Sequence, residues 1–458
     1  MDRLEDGAPV AVIGGGYAGC AAAATLAAAG VRCTVYEAAP FLGGRARRVV
    51  RDGLALDNGQ HLLLGAYRST LALVRQVAPH ARAFRRRPLA IVPFASKHDG
   101  ALSLVVRRAP ARLGLALGMF MTRGLTLRER LANVAWLRAL ERGGFRRPAA
   151  ETVAALLTPL PRRVREGLWE PLCLAALNTP PAAASAQVFA NVLQAAFGHT
   201  GADADFVFPT VDLSAFLPEA AARYVGERGG AVEVGTTARL ARDSAGNGLV
   251  VTGTARVPVA ATILAVGPHR LAAAVAPEAL AAQPTLAAAI DSARGFAYEP
   301  LATVWLGYAA RSALSYPIAR LDDAPGQWVV DRSDILAAAT TGPRLAQLLS
   351  VVISASGAHL AHPQADLVRD VDAQLRRLRP DLPHLAWSFA IVEKRATYAC
   401  TPTRPIPTAP RVAPGVYLAG DYAYPEFPAT LEAAVRSGIA AAQAFLEDRR
   451  SARSVSHP

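Results

Sequence analysis

Residues 9–37 read "PVAVIGGGYAGCAAAATLAAAGVRCTVYE", and this stretch decides the fold of the chain. The apolar start predicts a short buried strand, and a glycine-rich turn follows it. The alanine-rich run predicts a helix that ends at Gly30, and the residues after Gly30 predict a second strand. This order of elements is a β-α-β unit, in which a helix joins two parallel strands.

The turn of this unit carries a G-x-G-x-x-G motif formed by Gly14, Gly16 and Gly19. The first glycine permits a tight turn, the second lets a pyrophosphate approach the backbone, and the third lets helix and strand pack closely. The helix N-terminus offers unpaired N–H groups to the phosphates. Glu37 ends the second strand, where a carboxylate can accept hydrogen bonds from both ribose hydroxyls and repels a 2′-phosphate. The unit therefore predicts a dinucleotide site that disfavours NADP.

The residues behind Glu37 favour FAD over NAD. Residues 37–47 read "EAAPFLGGRAR" and place Gly43, Gly44 and Arg45 just after the ribose acid. An NAD site does not call for a second glycine pair there, whereas two glycines let the backbone pass close to a ligand. The planar guanidinium of Arg45 can pair with a phosphate. The alternative is a surface turn with a solvated arginine.

Later segments predict the remaining strands of the same sheet. Residues 229–243 contain a short alternating strand with Val234, a candidate cofactor contact, and a buried strand begins at Ala261. Near the C-terminus, "GVYLAGDYA" predicts a strand that ends in Gly420 and Asp421. Ligands bind outside the carboxyl ends of strands in open α/β sheets, so these two residues are candidates for the same site.

The chain between these segments differs in character and predicts a second domain. Its first part is arginine-rich with helical periodicity, and its second part contains strand-like "PLATVWLGY" and "GQWVVDR" before an amphipathic helix. The predicted class is α/β, with a Rossmann-like domain and an inserted α+β domain. The nucleotide domain comprises residues 1–79, 216–289 and 386–450, the inserted domain residues 80–215 and 290–385, and a flexible tail residues 451–458.

The composition of the chain limits the kinds of partner that it is expected to bind. The net charge of +13 arises almost entirely from arginine, because lysine occurs only at Lys97 and Lys394. Genomic base composition explains this as well as a charged partner does. Nucleic acid is disfavoured, because the sequence offers neither aromatic platforms nor a known binding module. The four cysteines are too scattered for a zinc site, and the acidic N-terminus lacks the features of a signal peptide. We expect no metal and a cytoplasmic protein.

One apolar segment suggests contact with a membrane surface. Residues 113–122 read "LGLALGMFMT", which is about half the length of a spanning helix. Arginines surround it, at positions 107, 108, 112, 123, 128 and 130. Such a segment either lies peripherally on an anionic leaflet, here the inner face of the cytoplasmic membrane, or is a core helix that lines a substrate pocket.

With "GGGYAG", "EAAPFLGGRAR" and "YLAGDYAYPEFPATLEAAVRSG" in one chain, the sequence resembles the FAD-dependent amine oxidase and phytoene desaturase superfamily. Three further stretches are most similar to the hydroxysqualene dehydroxylases of bacterial hopanoid synthesis: "DNGQHLLLGAYRSTLALV", "WEPLCLAALNTPP" and "EKRATYACTP". The resemblance implies an amine oxidase-like two-domain flavoprotein. It also implies FAD as the cofactor and a long-chain isoprenoid as the substrate, with enzymes similar to squalene synthase as pathway partners.

The resemblance assigns roles to individual residues. It implies FAD contacts by Gly14, Gly16, Gly19, Glu37, Gly44, Arg45, Gly420 and Asp421, with Thr430 and Leu431 near the isoalloxazine ring. The chain departs from the family at Ala433, where glycine commonly follows the acid of "TLE". The strand "EPLATVWLGY" lacks the lysine on which amine oxidation often relies, which makes amine oxidase activity less expected.

The implied reaction is the reductive removal of the hydroxyl of hydroxysqualene, with hydride from reduced flavin reaching an allylic cation. His61 and Tyr67 are the candidate donors, although a histidine beside an apolar run is also a common structural residue. Trp169, Asn178 and Tyr308 are candidates for lining the pocket. Asp57 and Arg68 are interpreted as a stabilising pair and Cys400 as a packing residue. The alternatives are a desaturase of carotenoid precursors and a non-catalytic nucleotide-binding protein.

Overall fold

The computed structural model describes residues 8–95, 101–106, 117–197, 200–338, 341–355, 357–405 and 410–456. The strands, in chain order, are β1 Val10–Ile13, β2 Cys33–Glu37, β3 Arg48–Arg51, β4 Leu54–Asp57, β5 Leu63–Leu64, β6 Phe84–Arg87, β7 Ala90–Ile91, β8 Leu104–Val105, β9 Phe206–Pro209, β10 Ala231–Val234, β11 Ala238–Arg242, β12 Gly248–Thr252, β13 Ala255–Pro258, β14 Ala261–Leu264, β15 Tyr298–Tyr308, β16 Ile318–Arg320, β17 Trp328–Asp331, β18 Gln347–Ser354, β19 Leu385–Tyr398, β20 Arg411–Ala413 and β21 Val416–Leu418.

The helices, in chain order, are α1 Tyr17–Ala28, α2 Arg68–Val77, α3 Leu127–Arg142, α4 Val153–Leu157, α5 Arg162–Val164, α6 Glu170–Leu177, α7 Ala186–Phe197, α8 Leu213–Phe216, α9 Pro218–Gly226, α10 Pro277–Ala281, α11 Pro284–Arg294, α12 Gln364–Leu378 and α13 Leu431–Ser456. A π-helical turn links α5 to α6. Helix α13 continues to Ser456, so residues 451–456 of the predicted tail are helical, while residues 457 and 458 lie outside the described residues.

The first sheet has the strand order β10-β2-β1-β14-β21-β20, and its first five strands run parallel. Strand β1 is buried throughout, since helix α1 covers one face of the sheet and helix α11 lies on the other. A parallel sheet that is covered on both faces requires such uniformly apolar strands. The strands come from three separated parts of the chain, as the sequence predicts.

Helices α1 and α13 pack closely against each other because small residues line their contact. A Cβ atom built on Gly438 would lie 2.1 Å from the carbonyl oxygen of Ala18. On the same side of the sheet, Leu26 and Phe445 complete the apolar core between the helices and the strands. The C-terminal helix is therefore part of the nucleotide domain.

The second large sheet is antiparallel, with the order β16-β17-β18-β15-β19. Helix α12 covers one face through Leu367, Val371 and Leu375. A separate group of helices, α3 to α7, packs around the fully buried Trp169. Helices that are segregated from an antiparallel sheet define an α+β domain, so the predicted fold class is confirmed.

One predicted domain boundary differs from the structure. The sequence analysis starts the last nucleotide-domain segment at residue 386, but β19 pairs with β15 from the Tyr308–Leu385 pair to the Tyr298–Tyr398 pair. The strand therefore belongs to the second sheet, and the chain returns to the first sheet after Tyr398. In the part of the chain that the structure describes, no helix combines the length and apolar character that crossing a bilayer requires.

Candidate functional site

The glycine-rich turn lies at the carboxyl end of β1, and its shape depends on missing side chains. Gly14 has a φ of +114°, and a Cβ atom there would lie 2.6 Å from the carbonyl oxygen of Ala265. A Cβ atom on Gly19 would lie 1.9 Å from the carbonyl oxygen of Gly14. A side chain on Gly14 would push the turn away from the residue that follows β14, and one on Gly19 would push the helix away from the turn. Gly16 is the N-cap of α1.

The second glycine pair lies directly beside the first turn. The Gly43 N–H donates to the carbonyl oxygen of Gly15 at 2.9 Å, and Gly16 and Gly43 form a parallel β-bridge. A Cβ atom on Gly44 would lie 3.3 Å from the Cα of Gly16. Both backbones are thus side-chain-free where they approach each other. This arrangement leaves main-chain surface for a ligand, which matches the predicted purpose of the second pair.

Glu37 lies at the end of β2 and holds the turn in place. Its Oε2 accepts the Gly15 N–H at 2.7 Å, and its Oε1 accepts the Ala39 N–H at 2.8 Å. Each carboxylate oxygen has a second lone pair, so the group can still accept hydrogen bonds from ribose hydroxyls. Val234 pairs with Glu37 in register at the end of β10, and its side chain is 46% exposed.

Arg45 and Asp421 come from opposite ends of the chain and meet at this edge. The Arg45 Nη2 donates to Asp421 Oδ1 at 2.5 Å, and Nη1 donates to the carbonyl oxygen of Ala396 at 3.0 Å. The N–H of Gly420 donates to Ser437 Oγ at 2.9 Å. A guanidinium and a carboxylate therefore lie together at the edge where the sequence predicts cofactor contacts by Arg45 and Asp421.

Tyr398 fixes the segment around Asp421, and the sequence analysis did not single it out. Its phenol donates to the carbonyl oxygen of Asp421 at 2.6 Å and accepts the Ala429 N–H at 2.5 Å. The ring is fully buried. The signal was available, because Tyr398 lies in the motif "EKRATYACTP" and a tyrosine in a buried strand needs a partner for its hydroxyl.

The start of α13 is held by its own side chains and supports α2. Thr430 Oγ1 accepts the Ala433 N–H at 3.0 Å, and Leu431 is buried. The buried carboxylate of Glu432 accepts the N–H of Thr70 at 2.9 Å and thereby caps α2. Ala433 is fully buried as well, and the close crossing with α1 falls at Gly438 rather than at Ala433.

Residues 58–61 connect the two sheets. Asn58 Nδ2 donates to the carbonyl oxygen of Arg45 at 3.3 Å, which ties the segment to the nucleotide edge. The Gln60 N–H donates to Thr303 Oγ1 at 3.2 Å, and Gln60 Oε1 accepts from Ser350 Oγ at 2.9 Å. Thr303 and Ser350 lie on β15 and β18, so this segment reaches the second sheet. The segment therefore lies at the junction of the two domains.

His61 is neutral at physiological pH, and its Nδ1 makes a hydrogen bond with the backbone. Burial lowers the pKa of His61 to about 4, and the nearby charge of Arg45 lowers it further. The hydrogen bond to Gly59 raises this pKa but does not offset the effect of burial. The carbonyl of Gly59 can only accept, so Nδ1 carries the proton in the 3.0 Å bond between them. In this tautomer Nε2 has a free lone pair. This corrects the predicted donor role, because His61 donates from Nε2 only when it is charged.

Tyr67 keeps its proton. Burial raises the pKa of the Tyr67 phenol, and the charge of Glu432 raises it further. The residue is the N-cap of α2 and packs against the apolar cluster that contains Leu63 and Leu71. The structure thus places His61 near the charge of Arg45 and Tyr67 near the charge of Glu432.

The predicted pair of Asp57 and Arg68 does not form. Asp57 Oδ2 accepts from Arg332 Nη2 at 2.9 Å, and Oδ1 accepts the Leu213 N–H at 2.7 Å. Arg68 pairs instead with Asp203 at 2.7 Å. Arg332 follows β17 in the second sheet, so the buried pair with Asp57 joins the two domains beside residues 58–61.

The three candidates for lining the pocket are structural residues. Trp169 and Tyr308 have no exposed surface. The indole N–H of Trp169 donates to Asn133 Oδ1 at 2.8 Å, inside the helical group. Asn178 Nδ2 donates to the carbonyl oxygen of Pro300 at 3.0 Å, which ties α6 to β15. Complete burial makes Trp169 and Tyr308 part of the core, which corrects the prediction for them, while Asn178 is 5% exposed and joins two elements.

Cys400 is a buried, free cysteine. Burial raises the pKa of the Cys400 thiol to about 12, so the thiol is unreactive and packs as the sequence predicts. Among the described residues, no group of three or more histidine, cysteine, aspartate or glutamate side chains could hold a metal ion.

A family model described as flavin containing amine oxidoreductase matches residues 17–446. A hydroxysqualene dehydroxylase of Sinorhizobium fredii is 28% identical, over 96% of this chain and 98% of the relative. A hydroxysqualene dehydroxylase of Rhodopseudomonas palustris is 27% identical, over 96% of this chain and 99% of the relative.

Solved structures share the fold. An oxidoreductase from Methanosarcina mazei superimposes with a TM-score of 0.71 at 13% identity, covering 96% of this chain and all of that chain. Cyclohexylamine oxidase from Brevibacterium oxydans gives a TM-score of 0.66 at 16% identity, covering 97% of this chain and 99% of that chain. At this level of identity the likeness concerns the fold alone, and the predicted amine oxidase-like architecture is confirmed.

Proposed function

The chain belongs to the flavin containing amine oxidoreductase family, and from this premise we propose that it is an FAD-dependent enzyme that converts hydroxysqualene to squalene. The observation that carries the proposal is the similarity to two hydroxysqualene dehydroxylases along 96% of the chain. That similarity includes the second domain, where a substrate would be selected.

FAD suits the residues at the edge of the first sheet. Glu37 has lone pairs left for the adenosine ribose, and the Gly16 and Gly44 backbones leave main-chain surface for a pyrophosphate. Arg45 adds a positive charge, and Asp421 adds an acceptor for a hydroxyl-bearing chain. A nucleotide with a single ribose and phosphate would use only the first of the two glycine turns. The second turn supports the larger cofactor.

The reaction removes an allylic hydroxyl as water and places a hydride on the same carbon. When bound, the flavin supplies that hydride. Because the hydroxyl leaves as water, the protein must deliver a proton to the leaving oxygen and keep bulk water away from the allylic cation that remains. Both tasks require a polar residue pair at the edge of an apolar site.

We assign these tasks to the segment that joins the two sheets. The free lone pair of His61 Nε2 accepts the hydrogen of the substrate hydroxyl and orients it. Tyr67 stays protonated and is the candidate proton donor to the leaving oxygen. The apolar residues Leu62 and Leu64, which pack against the large core of the second domain, exclude water. Amine oxidation is less suited, because β15 carries no lysine.

The experiment that tests the proposal reduces the purified flavoprotein anaerobically with a deuteride donor and mixes it with hydroxysqualene before the label exchanges. We expect the flavin to be reoxidised in a single turnover and squalene to carry deuterium at the former carbinol carbon. Phytoene is the control substrate and leaves the flavin reduced. If squalene carries no deuterium, or if phytoene reduces the oxidised flavin, the enzyme is not a dehydroxylase.

A further inference from the structure

Large apolar side chains that are exposed concentrate in one small part of the described chain. We call these residues the apolar patch, and they are Val105, Leu117, Phe120, Met121, Leu127 and Leu131. Each is between 41% and 62% exposed. Apolar surface that is grouped in this way marks an interaction site, whereas single exposed apolar residues need no explanation.

The backbone segments that carry the patch are linked to one another. Residues 117–120 are helical, and a Cβ atom built on Gly118 would lie 3.4 Å from the carbonyl oxygen of Val105. Ser103 and Arg123 form a β-bridge that brings the end of this turn against β8. Leu127 and Leu131 lie four residues apart in α3 and share one helix face.

Buried apolar residues alternate with the exposed residues of the patch along the same segments. Met119, Leu125 and Leu137 lie beneath the patch and are at most 5% exposed. Thr126 and Glu129 form a capping box that fixes the start of α3. The exposed side chains therefore cannot simply turn inward, since the positions below them are already filled.

The residues around the apolar patch carry a net positive charge. Residues 101–150 contain ten arginines and two glutamates. Arg123 and Arg128 are exposed within the same segment as the patch. The carboxylate of Glu129 accepts the N–H of Thr126 at 2.8 Å, so it is engaged in the helix cap. An apolar surface with an arginine rim is complementary to acyl chains bordered by anionic headgroups.

The core beneath the patch also reaches the candidate site. The same apolar cluster that contains Met119 extends to Leu62 and Leu301. Leu62 adjoins His61 in sequence, and Leu301 lies 3.7 Å from a Cβ atom built on Gly59. This step depends on the proposed function: a long isoprenoid dissolves in a bilayer, so binding to the bilayer surface would place the enzyme where its substrate is.

We propose that the apolar patch docks the enzyme on the surface of a bilayer that contains anionic lipids. The six patch residues enter the acyl region, and Arg123 and Arg128 bind lipid phosphates. The proposal concerns surface binding, consistent with the absence of a helix long and apolar enough to span among the described residues. Residues 107–116 of the predicted membrane segment lie outside the described residues.

Flotation of the flavin-loaded protein with vesicles tests this. Wild-type protein should float with phosphatidylglycerol–phosphatidylcholine vesicles and bind pure phosphatidylcholine vesicles more weakly. Replacing Leu117, Phe120 and Met121 together by serine should lower the affinity for the mixed vesicles by more than about tenfold, because three apolar side chains lose their burial. The matched control is the double substitution of the exposed Val50 and Leu360 by serine. It should leave the affinity unchanged.

A second arm tests the charges. Arg123→Gln with Arg128→Gln should lower the affinity for mixed vesicles by about tenfold and leave binding to neutral vesicles unchanged. Arg294→Gln with Arg369→Gln removes the same charge from exposed positions and should have no effect.

Three outcomes overturn the proposal: wild-type protein that does not float, control variants that lose as much affinity as the patch variants, or a wild-type dimer that becomes monomeric in the serine variant. The last outcome would identify a second copy of the chain as the occupant. Vesicle binding requires no turnover, so these outcomes are separate from failure of the proposed reaction. If the variants turn over detergent-solubilised substrate normally, both the fold and the reaction are intact.

Discussion

Two arginine–aspartate pairs hold distant parts of this chain together, and they differ mainly in burial. The side chains of Arg332 and Asp57 are both 2% exposed, at the junction between the sheets. The side chains of Arg45 and Asp421 are 31% and 9% exposed, at the carboxyl edge of the parallel sheet. Each pair joins a residue near the N-terminus to one at least 275 positions away.

Burial decides what each pair can do. Removing one partner of a buried pair leaves the other charge without water or a counterion, so the buried pair is fixed once the protein has folded. A partly exposed pair is screened by solvent, and its arginine can change partners at little cost. The pair of Arg45 and Asp421 is thus suited to open toward a phosphate, whereas the pair of Arg332 and Asp57 only connects the domains. An arginine–aspartate pair is therefore suited to ligand binding at the sheet edge and to holding the domains together at their junction.

The largest expected effect is on the buried pair. Arg332→Met leaves Asp57 buried and uncompensated, so the free energy of unfolding should fall by about 3–5 kcal/mol. Urea denaturation followed by circular dichroism measures it. The double variant Asp57→Leu/Arg332→Met should be more stable than Arg332→Met alone. If Arg45→Met costs as much stability as Arg332→Met, the comparison between the pairs fails.

The next effect is on cofactor binding at the exposed pair. Arg45→Met should weaken flavin affinity by on the order of 1.5–3 kcal/mol, the cost of a lost charge-assisted hydrogen bond. Its free energy of unfolding without cofactor should fall by less than that of Arg332→Met, because the lost guanidinium is partly exposed. Glu37→Ala should also weaken flavin affinity and purify paler but folded, with a further loss of stability from its two backbone hydrogen bonds. Titration of apoprotein with FAD measures the affinity, and undiminished binding in either variant would contradict the assigned site.

The smallest effect concerns His61, which lies near the charge of Arg45. Its pKa is about 4 in the folded protein and about 6.5 in an unfolded chain, so the folded state binds fewer protons. Its contribution to stability is complete above pH 6.5 and is lost as the pH falls toward 4. Between pH 7 and 5.5 the wild type should lose about 1 kcal/mol more than His61→Gln. Urea denaturation at both pH values measures this, and the exposed His80→Gln should match the wild type.

The nucleotide edge was predictable because its requirements are local. Gly14, Gly19 and Glu37 lie within one β-α-β unit, and their spacing alone fixes a turn, a helix contact and a carboxylate position. Gly420 and Asp421 could also be assigned, since a strand that delivers a glycine and an acid is visible without its neighbours. The strands β10, β14 and β21 were predicted for the same reason.

The junction between the domains could not be predicted, because its contacts are not local. Asp57 has Arg332 as its partner and Arg68 has Asp203, and a sequence does not tell which of many charges will meet. The boundary near residue 386 was misplaced because β19 is defined by its pairing with β15, nearly 90 residues earlier. The protonation of His61 depends on burial, which only the folded structure reveals.

The elements of the first sheet and its covering helices come from distant parts of the chain, and this has a consequence for protein synthesis. Helix α1 is made early, but its partner α13 begins at Leu431 and emerges from the ribosome much later. Contacts that span nearly the whole chain form slowly, because a long loop must close before they contribute. Until then the apolar face of α1 is uncovered, a state in which nascent chains aggregate. Asp421 lies just before the same late helix, so the cofactor pocket can mature only after this segment has been synthesised.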